Sequence, residues 1–79
     1  MKPLFNIYIG NYELPAGCVS NSFGELHDVI DKLFKYGVSD SDLLEFLHSY
    51  WDGEEYEWFY SLAEPFTASI ELVTEQESK

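Results

Sequence analysis

The chain has 79 residues, with 15 Asp or Glu against four Lys or Arg, so its formal net charge is −11. Hydrophobic residues make up 46% and aromatic residues 18% of the chain, which excludes a disordered acidic tail and predicts one folded domain over residues 1–79. The negative charge excludes nucleic acid and anionic membranes as direct partners, because both carry charge of the same sign.

Cysteine content and hydropathy indicate the compartment. Cys18 is the only cysteine, so no disulfide can form within the chain. The sequence has no apolar run long enough to span a membrane and no secretion signal at its start. These features predict a cytosolic protein.

The first element predicted is a β-strand over residues 4–9, which are apolar, aromatic and β-branched. Because both alternating faces are apolar, we expect this strand at the centre of a sheet. Glycine, asparagine and proline punctuate the following residues, which predicts a loop up to Asn21 with room for a short strand around Cys18 and Val19.

Two amphipathic helices are predicted next. The first spans residues 23–36, because Ser22 and Glu25 have the spacing of a capping box and apolar residues then recur at helical intervals. The second begins after Ser39, a capping residue, and ends at Gly53.

The last part of the chain predicts a β-hairpin. Residues 55–62 alternate between a core face of Tyr56, Trp58 and Tyr60 and a second face that carries Glu55 and Glu57. Residues 66–73 alternate in the same way, and residues 74–79 are expected to fray. The expected fold is α+β, with a three-stranded antiparallel or mixed sheet packed against two helices in the order β-α-α-β-β.

Catalytic and metal-binding signatures are missing from the sequence. His27 and His48 are the only imidazoles, and the sequence lacks the two or more His or Cys at tight spacing that a metal site needs. Cys18 has no activating partner in the sequence, and no glycine-rich phosphate motif occurs. We therefore expect neither an enzyme nor a protein with a cofactor or a metal.

The acidic residues of the second half are the candidate binding site. No Lys or Arg occurs between Gly37 and Ser78. On a helix, Asp42, Glu45, Ser49 and Asp52 fall in one stripe opposite the apolar face. These acids form either an ordinary solvated surface or a template for a basic nucleic-acid-binding protein. The residues expected to meet such a partner are Asp40, Asp42, Glu45, Asp52, Glu54, Glu55, Glu57 and Glu64.

Two blocks of the chain resemble antirestriction proteins of the ArdA type. Residues 7–12 (IYIGNY) are similar to the first strand of that family, and residues 54–59 (EEYEWF) with residues 64–67 (EPFT) are similar to its acidic-aromatic strand and turn. The resemblance implies a DNA mimic that occupies the DNA-binding groove of a type I restriction enzyme in the host bacterial cytosol. Small phage anti-defence proteins, such as anti-CRISPR proteins that block CRISPR effectors, have the same acidic character.

A second resemblance keeps another function open. Residues 22–32 are similar to a helix of barstar, and barstar and the bacteriocin immunity proteins are acidic nuclease inhibitors of comparable size. The alternative is therefore a small protein-interaction module, such as an immunity protein or a phage or plasmid regulator, that binds through an apolar or edge-strand surface. Exposure of Phe59 or of a strand edge would also permit a homodimer.

Overall fold

The computed structural model describes residues 3–73, which form four strands and two helices in the order β-β-α-α-β-β. In chain order they are β1 (Leu4–Asn11), β2 (Cys18–Gly24), α1 (Leu26–Lys35), α2 (Asp40–Asp52), β3 (Glu57–Ser61) and β4 (Phe66–Val73). The tail over residues 74–79, which was predicted to fray, lies outside the described residues.

The expected three-stranded sheet with the order β-α-α-β-β is wrong. The sheet has four strands in the spatial order β2-β1-β4-β3, and every neighbouring pair is antiparallel, so the sheet is not mixed. The additional strand is β2, where the sequence predicted a loop followed by the start of a helix. Its Ser22 and Phe23 pair with Ile7 and Asn6 of β1, and this ladder overrides the helical spacing that begins at Phe23.

Helix α1 consequently begins at Leu26, with Glu25 as its N-cap residue in place of Ser22. The carboxylate of Asp28 accepts a hydrogen bond from the backbone N–H of Glu25 at 2.9 Å. Gly24 permits this close turn from strand to helix, because a Cβ atom at that position would lie 2.6 Å from the Cβ of Asp28.

Strand β1 lies at the centre of the sheet, as predicted, between β2 and β4. Its odd-numbered side chains Phe5, Ile7 and Ile9 are buried on the face that the two helices cover. Burying a side chain of this size contributes about 1.5–3 kcal/mol to folding. The core also contains Val29, Leu33, Phe46, Trp58, Leu62, Ala68 and Ile70.

Aromatic rings join α2 to the sheet. The ring centroid of Phe46 lies 4.8 Å from that of Trp58 and 6.1 Å from that of Phe5, both in edge-to-face geometry. Tyr56, which was predicted to share this core face, is instead 61% exposed. It precedes β3, which begins at Glu57.

The opposite side of the sheet, which we call the open face, is left uncovered by both helices. Phe23 and Phe59, at its two edges, are 69% and 70% exposed. The strand register assigns to the open face Phe23 of β2, Asn6 and Tyr8 of β1, Thr67, Ser69 and Glu71 of β4, and Glu57, Phe59 and Ser61 of β3.

Candidate functional site

Helix α2 carries half of the acidic residues expected at the site, and its predicted start and end are confirmed. The hydroxyl of Ser39 accepts a hydrogen bond from the backbone N–H of Asp42 at 3.2 Å, and Gly53 ends the helix in the left-handed conformation. Asp40 and Asp42 lie in the first turn, where the helix dipole favours negative charge.

The stripe predicted on α2 is wrong at Ser49, which is 6% exposed and faces β3. The Ser49 hydroxyl accepts a hydrogen bond from Nε1 of Trp58 at 3.1 Å and donates to the backbone carbonyl oxygen of Glu45 at 3.0 Å. A buried indole N–H needs an acceptor, and Ser49 supplies it. The side of α2 that carries Glu45 and Ser49 is therefore turned toward β3 rather than away from the sheet.

Three of the predicted acidic residues come together around the phenol of Tyr60 in β3. The Tyr60 hydroxyl donates a hydrogen bond to Oε1 of Glu45. The pKa of Tyr60 is raised above its ordinary value of 10.0, first by burial, then by the hydrogen bond to Glu45, and then by the negative charges of Glu45, Asp42 and Glu55. We call Asp42, Glu45, Glu55 and Tyr60 the Tyr60 cluster.

No lysine neutralises the Tyr60 cluster within the described part of the chain. The ion pairs among residues 3–73 are those of His27 with Glu25 and Asp28, at 3.7 and 3.4 Å. Both described lysines lie on α1, where Lys32 donates to the hydroxyl of Ser20. Among residues 3–73, no lysine or histidine is therefore paired with the carboxylates near β3.

Strand β3 forms one edge of the sheet, so half of its backbone groups face outward. The N–H of Leu72 donates to the carbonyl oxygen of Tyr56 at 2.8 Å. By the β3–β4 register, the backbone N–H and C=O groups of the even-numbered residues of β3 therefore point toward β4. The N–H and C=O groups of Glu57, Phe59 and Ser61 consequently point away from the sheet. A partner that approaches the Tyr60 cluster also meets this edge.

Glu57 lies on the open face, across the strand from the Tyr60 cluster. It stands directly opposite Glu71 of β4. Glu71 was not among the residues predicted for the site, although the alternation of residues 66–73 assigns it to the face opposite the core. What the sequence lacked was the register that pairs residue 57 with residue 71.

The remaining predicted site residues are exposed but are dispersed over the molecule. Asp40 lies in the first turn of α2, Asp52 is its last residue, and Glu54 follows its cap. Glu64 lies in the β3–β4 turn beside Tyr12, whose pKa is raised by loss of solvent around the phenol, by the charge of Glu64 and a hydrogen bond to it, and by the charge of Glu13. The eight residues thus lie on α2, in the segment between α2 and β3, on the open face and in the β3–β4 turn.

Exposed aromatic side chains accompany these acids. Trp51, near the end of α2, and Tyr56, just before β3, are largely open to solvent and lie close in sequence to Asp52, Glu54 and Glu55. Aromatic rings beside carboxylates can hold the cationic side chains of a partner by cation–π contact.

Residues 3–73 contain neither a metal-binding cluster nor a membrane-spanning helix. No three His, Cys, Asp or Glu side chains in this range are grouped closely enough to hold a metal ion. Neither of the two helices in the same range has the length and apolar character needed to cross a membrane.

Comparisons with protein-family models, with curated proteins and with solved structures gave no match to this chain.

Proposed function

We propose that this protein is a non-enzymatic inhibitor that imitates nucleic acid and occupies the DNA- or RNA-binding site of a bacterial defence complex, a CRISPR effector or a restriction enzyme, in the host cytosol. The observation that carries this proposal is the Tyr60 cluster. Asp42 and Glu45 lie on α2 and Glu55 lies in the segment before β3; the charges of all three act on one phenol, and none has a neutralising lysine within residues 3–73.

The physical basis is the match between carboxylates and phosphates. Proteins bind a nucleic-acid backbone through Lys and Arg side chains, and most of the affinity comes from these charges. Carboxylates on a helix and on the folded segment that follows it present acceptors for the same side chains without the conformational freedom of a disordered acidic tail. A net charge of −11 also accelerates encounter with a basic site.

The resemblance of residues 54–59 to the acidic strand of ArdA-type proteins supports the same proposal, since this segment contains Glu55 of the Tyr60 cluster.

A charge-reversal experiment tests this function. The variant Asp42→Lys with Glu55→Lys removes two carboxylates of the Tyr60 cluster but keeps the hydrogen bond between Tyr60 and Glu45. We expect it to lose at least about tenfold in its ability to displace DNA from a type I restriction enzyme or guide-paired target from a CRISPR effector, because two charge-assisted contacts become repulsive. Inhibition by the unmodified protein should weaken steeply with added salt.

The matched control is Glu13→Lys with Glu64→Lys, in the pair of loops around Tyr12. Each double variant has the same net charge, −7, because each substitution adds two positive charges to −11. If both variants lose activity equally, the affinity follows net charge alone, and the Tyr60 cluster is not the site. If neither loses activity, mimicry of nucleic acid is refuted.

The open face favours a second candidate function, a protein-interaction module such as a nuclease immunity protein or a phage or plasmid regulator. Two exposed phenylalanines on one sheet face, Phe23 and Phe59, are typical of a protein-binding surface. For this function, Phe23→Ser and Phe59→Ser should weaken partner binding more than charge reversal does, and the affinity should change little with salt.

A further inference from the structure

Strand β3 is an edge of the sheet that is open to a further strand. It pairs with β4 on one side only, and the pairing runs without a shift in register from Glu57 to Ser61. The backbone N–H and C=O groups of Glu57, Phe59 and Ser61 point outward, and among residues 3–73 no backbone group bonds to them. A row of unpaired groups of this kind is a template for the backbone of an added strand.

The other edge of the sheet, β2, is less regular. Val19 is an extra residue of β2 between the residues that pair with Ile9 and Gly10 of β1, so β2 contains a bulge. A bulge bends a strand and interrupts its row of outward groups. Nζ of Lys32 in α1 also donates a hydrogen bond to the hydroxyl of Ser20 at 2.9 Å. The regular edge of the described sheet is therefore β3.

Carboxylates line the β3 edge on both faces of the sheet. On the face that the helices cover, Glu45 of α2 accepts the hydrogen bond of Tyr60, and the charge of Asp42 acts on the same phenol. On the open face, Glu57 precedes the exposed Phe59 by two residues. Among residues 3–73, none of these carboxylates is paired with a lysine or a histidine. An added strand therefore meets negative charge on both of its faces.

We propose that the β3 edge binds an extended basic segment of a partner protein, which joins the four-stranded sheet as one more strand. Its backbone bonds to the outward groups of Glu57, Phe59 and Ser61. Its side chains alternate between the two faces, with an Arg or Lys toward Glu45, an apolar residue beside Phe59 and a second basic residue beside Glu57. In this mode of recognition, main-chain hydrogen bonds supply affinity and alternate side chains supply specificity.

A second copy of this chain does not suit the same edge. Two β3 strands paired with each other would bring together two sets of Asp42, Glu45 and Glu57. No Lys or Arg occurs between Gly37 and Ser78, so neither copy supplies a cation from α2, β3 or β4. Repulsion between like charges therefore opposes self-association at β3 and favours a basic strand.

The partner's identity as a nucleic-acid-binding protein rests on the proposed function, whereas the strand chemistry of the edge does not. Backbone pairing requires only an extended segment, and the carboxylates on the two faces require only basic side chains. The edge can therefore be tested with a peptide, without the partner.

A designed peptide followed by NMR tests strand addition directly. The probe is acetyl-Thr-Arg-Val-Thr-Lys-amide, added at low salt to the ¹⁵N-labelled protein, and in antiparallel pairing it lies opposite residues 61 to 57 in that order. We expect the backbone amides of Glu57, Phe59 and Ser61 to shift and to become protected from hydrogen exchange, because they gain acceptors. The amides of Trp58 and Tyr60 already face β4 and should change less.

N-methylation of the peptide separates strand pairing from attraction between charges. In the expected register the valine N–H donates to the carbonyl oxygen of Phe59, while the N–H of the second threonine points away from β3. Methylating the valine nitrogen should weaken binding at least about tenfold, and methylating the second threonine nitrogen should leave it nearly unchanged. The two peptides carry the same charge, so equal affinities would overturn the proposal.

Matched variants of the protein test the same edge. Phe59→Pro removes an outward N–H that the pairing with β4 does not use, so the fold should be retained and peptide binding lost. Phe59→Ala removes the ring but keeps the N–H, and should bind the peptide more weakly than the unmodified protein but still measurably. Equal affinities of the two variants would contradict backbone pairing, and the methylated peptides decide the question whether or not Phe59→Pro folds.

Charge variants test the side-chain part of the proposal. Glu45→Gln with Glu57→Gln should weaken peptide binding about tenfold. Glu13→Gln with Glu64→Gln, which changes the net charge equally, should not weaken it. Equal losses in the two variants would show that the peptide follows net charge and would overturn the proposal. Protection of the β3 amides that rises with protein concentration in the absence of peptide would identify a second copy as the occupant and would also overturn it.

The two proposals fail separately. If Asp42→Lys with Glu55→Lys inhibits as well as the unmodified protein, the inhibitor proposal fails and strand addition stands on its peptide titration. If the peptide does not protect the outward amides of β3, strand addition fails and inhibition through the Tyr60 cluster is unaffected.

Discussion

At the scale of single residues, hydrogen bonds between side chains determine which acids lie together. Glu45 is turned toward β3 because Ser49, one helical turn later, accepts the indole N–H of Trp58. The Tyr60 hydroxyl then reaches Glu45, and Asp42 and Glu55 act on the same phenol. Helical periodicity predicted Ser49 on the outer surface, because serine is polar. Its hydrogen bond with the buried Trp58 of β3 is the reason that this prediction is wrong.

The raised pKa of Tyr60 predicts a loss of stability at alkaline pH. The folded protein holds the neutral phenol more strongly than the unfolded chain does, so this contribution is complete below the unfolded pKa of 10.0 and decreases as the pH rises above it. We expect the free energy of unfolding, from urea titrations, to fall as the pH rises above about 10. The fall should be smaller in Tyr60→Phe.

Two glutamate variants identify the cause of that pH dependence. Glu45→Gln removes the charge nearest to the phenol and should reduce the slope, while Glu54→Gln removes a charge that does not act on Tyr60 and should not. An unchanged slope in Tyr60→Phe would contradict the role assigned to this phenol.

At the scale of elements, the sequence predicted those that depend on local pattern and missed the one that depends on long-range pairing. Strand β1, helix α2 and the β3–β4 hairpin follow from apolar periodicity, capping residues and alternation, all of which are local. Strand β2 does not, because Cys18–Gly24 is mostly polar and becomes a strand by pairing with β1. The pairing cannot be recognised from a single sequence. Phe23 also happens to stand at helical spacing from the apolar residues of α1, and the helix was therefore predicted to begin there.

The junction of β2 and α1 predicts a position that tolerates only glycine. In Gly24→Ala the new Cβ would lie 2.6 Å from Cβ and 2.7 Å from Oδ2 of Asp28, so the capping carboxylate must move. We expect a loss of about 1–3 kcal/mol in the free energy of unfolding, as for other overpacked sites, measured by urea titration.

A double-mutant cycle with Asp28→Gly, which removes the Cβ that lies 2.6 Å from the new Cβ, checks the mechanism. If the clash with Asp28 causes the loss, the double variant should be more stable than the sum of the two single losses predicts. Strict additivity would show that the strain at Gly24 arises elsewhere.

At the scale of the whole molecule, acidic residues that were predicted to form one site lie on different faces of the sheet. The eight predicted acidic residues were expected to act together, but Glu57 lies on the open face, Glu64 lies near Tyr12, and only three surround Tyr60. Residue types and strand alternation were readable from the sequence. The packing of α2 against β3 and the register of β4 were not, and these decide which charges are neighbours.

The net charge predicts that salt stabilises this protein. At about 0.01 M salt the screening length is roughly 30 Å, so charges repel across a molecule of 41 × 26 × 18 Å; at about 0.1 M it is roughly 10 Å. We therefore expect Tm to rise over this range, because the folded state confines a charge of −11. Calorimetry in NaCl and in KCl measures this.

Screening acts through ionic strength, so the two salts should give equal increases. A Tm that stays constant or falls with added salt would show that self-repulsion does not limit the stability of the fold.

The pairing of β1 with β4 at the middle of the sheet constrains the order of events during synthesis. Leu4 lies opposite Val73, so β1, which is synthesised first, can pair with β4 only after nearly the whole chain has been synthesised. At about 5–20 residues per second, this wait lasts several seconds, during which β1 and β2 are no more than an isolated hairpin, which is marginal in water. The native sheet therefore closes only after β4 has left the ribosome, and a chain stalled before β4 emerges would expose an unpaired, apolar β1 edge.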